Sequence, residues 1–526
     1  MPKQENSFWV RSICCCVFVA ALAFCCILRL IRVGSTVLPA AALQNTVSVE
    51  VESGRGLIYD CKGRSVYTKK QQACVFLPCL QSLQTVQNYC GGSTLQQALQ
   101  RLNNNLPFVL LQENKINQKG VYCTPVVNRA QAPYGLEHLL GYVNGEGQGV
   151  YGLELAYNSL LQSAAKTTLC FAVDAAGNYL LGAEPTLKNN RSSGAVYLTV
   201  DLDLQKAVFE SCEGLKTGGV VITEVQTGKI RAMLSRPGFD AQSLADYLKS
   251  PNSPFLNRCL SRYNVGSAFK PLIAAALLEN GKGSFTYNCT GSCEIAGRRF
   301  YCHRHAGHGQ VTLATALEQS CNTYFYNAVA QLPGQEYLNL SQALGLGSQR
   351  ALANGITAAA GSLPTSATLT SKAALANFAI GQGELLLTPL ALTNLYAAVA
   401  NGGWYVTPSL VEGTRTVQGY RAENAGLKNV VFSSNTAGQL KGFLAGVLTN
   451  GTGKAALPAA GGACGKTATA QTGRVVNGAE VEHSWFCGFF PQESPKYAVT
   501  VFLENKSANT AVAAQIFKKI ADSVGK

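Results

Sequence analysis

The sequence predicts an α+β protein: one antiparallel sheet covered by helices, preceded by a mixed N-terminal part and a single membrane-anchor helix. Three observations predict it. A run of sixteen apolar residues, Ile13 to Leu28, stands near the N-terminus. Turn-rich sequence of mixed character, with no internal repeat, follows it. Beyond that, strand-like runs flank a long helical middle, the arrangement of a sheet with helices packed on it. The bulk numbers agree. Of the 526 residues 47% are hydrophobic and 14% charged, which excludes a disordered chain and leaves room for two or three domains. The net charge of +14 comes without a long Lys/Arg run or a nucleic-acid motif. It fits work beside an anionic lipid or polymer surface, or solubility alone.

Arg11 precedes the apolar run, and Arg29 and Arg32 follow it. Spanning a bilayer takes about 20 residues, and snorkelling arginines can make up the shortfall. A cleaved signal peptide is the alternative, but no small-x-small cleavage site stands near Phe24 and Leu28. An uncleaved anchor over residues 1–33 is expected, with the short N-terminal tail on the cytoplasmic side. No second spanning segment follows, so the rest should lie on one side of the membrane. Five of the 19 cysteines lie in the apolar run, and the others are scattered without a repeating spacing. That pattern reads as buried thiols rather than a dense disulfide framework, with a few free to bridge or bind metal.

Residues 34–190 form one expected unit and 191–526 a second, joined through the linker-like stretch Asn189–Gly194. In the second unit Tyr197–Val200 reads as a strand and Asp203–Cys212 as a helix. Val220–Ile222 and Ile230–Met233 flank the turn Gln226–Lys229 as a hairpin. Trp485–Phe490 and Tyr497–Leu503 read as strands, and Ala511–Val524 as an amphipathic helix.

Three short motifs occur in order in this unit. The first is Ser267-Ala268-Phe269-Lys270, at the head of a helix-like run from Phe269 to Glu279 closed by Asn280-Gly281. Residues three apart share a helix face, so Lys270 comes within reach of the Ser267 hydroxyl. A serine hydroxyl needs an adjacent base to be a nucleophile, and lysine serves when burial or nearby cations lower its pKa. The helix N-terminus adds potential favourable to an oxyanion. Alone, this pattern is also that of a capped helix bearing a solvated lysine. The second motif is Ser320-Cys321-Asn322, and the third Lys466-Thr467-Ala468-Thr469. A second hydroxyl near Lys270 can relay a proton, an Asn can hold an amide, and a strand with Lys and Thr can bind a carboxylate. Their order and spacing carry more than any one of them.

The chain resembles the class B penicillin-binding proteins along nearly its whole length. Arg55-Gly56-Leu57-Ile58-Tyr59-Asp60 is similar to the family's opening motif, with Cys61 where Arg is usual. Gly152-Leu153-Glu154, with Tyr157 and Leu160, resembles the signature of its non-catalytic pedestal. Asn257-Arg258 and Tyr263–Gly266 lead into Ser267; Ala379–Gly383, Thr388-Pro389 and Ala400–Gly403 match a further stretch; Trp485-Phe486, Gly488 and Pro491 complete the set. The resemblance implies the penicillin-binding transpeptidase fold on an elongated pedestal. It also implies a peptidoglycan D,D-transpeptidase whose catalytic domain is extracytoplasmic. Ser267 is then the nucleophile, Lys270 the general base, Ser320 the proton relay and Asn322 a substrate contact. Lys466, Thr467, Ala468 and Thr469 bind substrate, the N–H groups of Ser267 and Thr469 form the oxyanion hole, and β-lactams acylate Ser267. Ala468 stands where the family usually has Gly, so a methyl could crowd the acyl pocket. The expected partners are stem peptides, β-lactams, other wall-synthesis proteins and a separate membrane glycosyltransferase of the SEDS type. No nucleic acid and no cofactor for the chemistry are expected.

Cys289, Cys293, Cys302, His303, His305, His308 and Cys321 cluster between the first two motifs. A Cys₃His set makes a structural zinc site; a Cys289–Cys302 disulfide or plain buried thiols are the alternatives. Elongation-type members of the resembled family carry zinc near this loop, which implies Cys302, His308 and Cys321 as ligands with Cys289 the fourth. Two other functions share the serine–lysine core. A β-lactam sensor or β-lactamase needs a base for deacylating water, and no motif supplies one. A scaffold without catalysis would not need the intact motif residues.

Overall fold

The computed structural model describes residues 4–524 apart from 68–69, 130–131, 163–165, 175, 190–193, 424–425, 477 and 505–509. All but the two ends of the expected linker at 189–194 therefore lie outside the described residues. The first helix, α1, runs over Gln4–Gln44. Its segment Trp9–Arg32, 24 residues, is long and apolar enough to cross a membrane. At a rise of 1.5 Å per residue that is about 36 Å. Trp9, Phe18 and Phe24 are exposed along it. Such a band on a helix fits a single-pass anchor, because lipid covers the apolar surface that the chain leaves bare.

The chain divides into two compact units. The first comprises 1–54, 70–127 and 163–191. It holds a three-stranded sheet of Thr46–Ser53, Lys166–Ala172 and Thr186–Asn189, and another of Lys70–Phe76 between Phe108–Gln112 and Val121–Val127. The second comprises 55–69, 128–162 and 192–526. Two stretches from the N-terminal part of the chain thus fold with the C-terminal region.

The second unit is built on a five-stranded antiparallel sheet. Its strands are β1 (Gly218–Glu224), β2 (Ile230–Arg236), β3 (Cys464–Val476), β4 (Ala479–Phe490) and β5 (Tyr497–Leu503), in the order β2-β1-β5-β4-β3. Every residue of β5 is buried, so the sheet is covered on both faces. The helices of this unit include α2 (Lys270–Glu279), α3 (Leu313–Glu318), α4 (Asn322–Ala328), α5 (Lys372–Ala379), α6 (Pro389–Ala400), α7 (Ser434–Thr449) and α8 (Thr510–Val524). Of these α6, α7 and α8, together with the helix Leu202–Ser211, lie directly against the strands. The expected strands and helices of this unit are present, with ends shifted by a few residues. The helix expected from Asp203 spans Leu202–Ser211, because Asp201 caps it by accepting from the Asp203 N–H. The strand expected at Trp485 begins earlier, since β4 pairs with the whole length of β3.

Within this unit Arg55 and Glu154 form a buried ion pair at 2.7 Å. Arg55 also donates to the Glu154 carbonyl and to Asn158 Oδ1, each at 2.8 Å. Arg129 donates to the other Glu154 oxygen at 2.8 Å, and the Tyr67 hydroxyl bonds the same oxygen. Both carboxylate oxygens and most guanidinium donors of Arg55 are thereby satisfied, which buried charges require.

Candidate active site

Ser267 lies in a 3-10 turn, Gly266–Phe269, that runs directly into α2. In a 3-10 turn residues three apart eclipse, which aligns Ser267 with Lys270. Pro271 follows in the first turn of α2, where its missing N–H costs least. The helix is apolar all round and almost wholly buried, as a core helix must be. Phe269 packs edge-on against Phe378 of α5 at 5.0 Å, and the Tyr396 hydroxyl of α6 donates to the Ala268 carbonyl at 3.0 Å. Gly266 has φ +56°, and a Cβ there would meet the Thr469 carbonyl oxygen at 2.3 Å. The turn bearing Ser267 therefore lies directly against β3, and only glycine permits the approach.

The second motif is the joint between two helices. Thr312 caps α3 by accepting from the Thr315 N–H. After α3, the Ser320 N–H donates to the Leu317 carbonyl and the Cys321 N–H to the Ala316 carbonyl, at 3.2 and 2.9 Å. This is a Schellman closure, with Ser320 at φ +55° in the position glycine usually takes. Asn322 then opens α4. The closure turns Ser320 and Asn322 together onto Lys270. Lys270 Nζ donates to the Ser320 carbonyl at 2.8 Å, to Ser320 Oγ at 3.2 Å and to Asn322 Oδ1 at 2.8 Å. Three acceptors favour the ammonium, but complete burial outweighs them. Burial brings the Lys270 pKa down to about 7, partly opposed by Cys321 and Cys302.

The third motif lies on β3, the edge strand of the sheet. Lys466 is buried, and its Nζ donates to the Thr467 carbonyl at 3.0 Å. Burial, then the charge of Lys270, push the Lys466 pKa well below the usual lysine range. Thr467 and Thr469 alternate to the face opposite Lys466 and Ala468. Ala468 is 3% exposed and packs in the core beside Ala470, opposite Trp485 in register. Its methyl is thus spent on the core, and its reach toward a ligand is through the backbone. Trp485 donates to the Asn264 carbonyl at 3.1 Å, tying β4 to the segment before Ser267. The structure so brings together the elements carrying Ser267, Lys270, Ser320, Asn322, Lys466, Thr467 and Thr469. An edge strand also leaves one row of backbone groups able to pair with an extended peptide.

Behind the second motif lie Cys289, Cys302, His308 and Cys321, whose donor atoms all fall within 4.8 Å of one another. Cys289 ends a strand, Tyr287–Cys289, paired with Gly309–Val311, so His308 arrives beside it. The hairpin Ser292–Ile295 with Arg298–Tyr301 returns the chain to Cys302, whose N–H donates to the Gly291 carbonyl. His308 Nδ1 is 3.5 Å from both Cys289 Sγ and Cys302 Sγ, and the Cys302 and Cys321 sulfurs are 4.0 Å apart. Zinc bond lengths in a tetrahedron require about 3.6 Å for S···N and about 3.8 Å for S···S. The donor set fits zinc in type and number, and these three separations lie close to those a zinc ion requires. Cys302 is held well below the usual thiol range, first by its hydrogen bond with Cys321 and then by His303 and nearby backbone N–H groups, among them Asn322. Asn322 N donates to Cys302 Sγ at 3.4 Å. Of the other residues in that cluster, Cys293, His303 and His305 stand outside the set of four. All the cysteines are free thiols, including the Cys289 and Cys302 considered as a disulfide.

One residue escaped the sequence reading. Thr452, after α7, has its hydroxyl 2.7 Å from that of Thr467. The only sequence signal was a threonine bracketed by Gly451 and Gly453.

A serine at a helix head, a buried lysine one turn on, and a second hydroxyl on that lysine define a serine-type acyl-transfer enzyme. The chain belongs to the penicillin-binding protein transpeptidase domain family, which matches residues 218–522. It is similar to the peptidoglycan D,D-transpeptidase PbpA of Mycolicibacterium smegmatis, 26% identical over 91% of this chain and 93% of that one. It is 28% identical to the FtsI homolog of Mesostigma viride, over 75% of this chain and 71% of that one. Stage V sporulation protein D of Bacillus subtilis is also 28% identical, but the chain spans only 62% of its length. Among solved structures, penicillin-binding protein A of M. tuberculosis as an imipenem acyl-enzyme complex aligns with TM-score 0.66 and 22% identity, covering 90% of this chain and 98% of that one. That likeness confirms the α+β transpeptidase fold.

Proposed function

We propose that this protein is a class B peptidoglycan D,D-transpeptidase anchored by α1, with its catalytic region outside the cell membrane. Along the sequence, residues 191–526 form the transpeptidase portion and 34–190 the pedestal, of which 55–69 and 128–162 fold into the same compact unit as the transpeptidase portion. Neutral Lys270 takes the Ser267 proton as Oγ attacks the carbonyl of the penultimate D-Ala. The amide bond to the terminal D-Ala breaks, and that amine receives its proton through Ser320. The Ser267 ester then passes to an amine of a neighbouring strand, which forms the new amide and frees the serine. Asn322 holds a substrate amide, Lys466 and Thr467 its carboxylate, and the Ser267 and Thr469 N–H groups the oxyanion. β-Lactams acylate Ser267 and stall there.

The observation that carries this reading is the position of Lys270: buried, with a pKa brought near neutrality and hydrogen bonds to both Ser320 and Asn322. Zinc on Cys289, Cys302, His308 and Cys321 would supply structure rather than chemistry. Cys321 and the Cys302 bond from Asn322 fix the loop that presents Ser320 and Asn322. A separate membrane glycosyltransferase of the SEDS type would provide the strands. The test is to supply the full chain with stem pentapeptide and an acceptor amine. Release of D-Ala matched by a new cross-link supports the reading. Release without a cross-link makes the protein a hydrolase, and no release of D-Ala refutes the assignment.

A further inference from the structure

We propose that Thr452 is a positioning residue for the carboxylate-binding hydroxyl of Thr467, coupling the second motif to the third. The inference rests on the proposed function and adds a residue to it. Thr452 sits in the turn after α7, and its backbone and side chain face different motifs. Its N–H donates to the Glu318 carbonyl at 3.1 Å, at the end of α3 and two residues before Ser320. Its Oγ1 lies 2.7 Å from Thr467 Oγ1 on β3. The preceding residue permits the approach: a Cβ on Gly451 would stand 2.1 Å from the Glu318 carbonyl oxygen. The loop is thus fixed on the same helix end that sets Ser320, and it reaches the strand that carries Lys466.

The proton count gives the contact a direction. A threonine hydroxyl has one proton to donate and can accept two. Thr467 can give its proton to a substrate carboxylate only if it does not give it to Thr452. Thr452 must then be the donor and Thr467 the acceptor. That leaves the Thr467 O–H in one rotamer, free to meet the carboxylate. Without Thr452 the Thr467 hydroxyl rotates freely, and part of its bond to the charged group is lost. Thr452 is itself exposed, so an isosteric Thr452→Val change leaves the fold intact.

The test compares benzylpenicillin with its methyl ester, which lacks the charged carboxylate, as acylating agents of the full chain in detergent. For Thr452→Val the apparent dissociation constant for benzylpenicillin should rise about tenfold, the size expected for a hydrogen bond to a charged group, with the limiting acylation rate kept. The ester should react with the variant as it does with wild type. Thr452→Ser should behave as wild type, and Thr452→Val should cost nothing further in a Thr467→Val background. An unchanged constant, an equal loss for acid and ester, or additive losses in the double variant would each overturn the assignment. Wild type that forms no adduct on Ser267 overturns the functional reading and this inference with it.

Discussion

Ser320 holds a left-handed backbone, φ +55°, where a side chain costs about 1–2 kcal/mol. Its carbonyl and hydroxyl both meet Lys270, so the strain falls at the residue proposed as the proton relay. Ser320→Gly removes strain and hydroxyl together. Unfolding measurements should show stability kept or raised by about 1 kcal/mol, while the acylation rate falls by about 10²-fold or more, the usual worth of a positioned proton-transfer group. Lys270 gives a pH test. Its pKa is lowered to about 7, so the ammonium dominates below that pH and the neutral base above it. The acylation rate should therefore rise with pH through about 7 and level off above. A rate flat across that range, measured with labelled penicillin, contradicts the base role. The serine–lysine spacing was legible in the sequence, because two residues three apart must share a face. The pKa was not, because the burial comes from elements scattered along the chain.

The loop between the first two motifs shows what a single element adds. Cys289, Cys302, His308 and Cys321 come from two strand pairings and a helix cap. Their types and rough spacing drew attention in the sequence and the family resemblance implied these four of the seven candidates, but the spacing alone did not; the folded hairpins bring the same four together. The selection turns on register: Cys289 opposes Gly309, which brings His308 and not His305 to the sulfurs. His308→Ala should lower the zinc content of the purified protein, read by elemental analysis, and lower the acylation rate with it. A zinc-free preparation that acylates at the wild-type rate contradicts the link between cluster and motif. Thr452 was not legible, since its role depends on contact with Thr467 across a loop that no periodicity reveals.

At the scale of the molecule, stretches from early in the chain serve the region that follows. Segments 55–69 and 128–162 belong to the unit built on the five-stranded sheet, and the Arg55–Glu154 pair joins them. The sequence marked both motifs through resemblance, yet nothing in local pattern pairs residues so far apart. Arg55→Ala leaves Glu154 with only part of its compensation in a buried site. Removing one partner of such a pair costs about 3–5 kcal/mol. Denaturant unfolding of the full chain should show a loss of that order, with the residual folded protein still labelled on Ser267. A loss below about 1 kcal/mol would mean that Arg129 and Tyr67 suffice. In the proposed mechanism all these elements serve one serine, which is tested by the stoichiometry of labelled penicillin bound to wild type and to Ser267→Ala. One stable adduct per chain on Ser267 in wild type, and none in the variant, is the predicted result; equal labelling of both would contradict it.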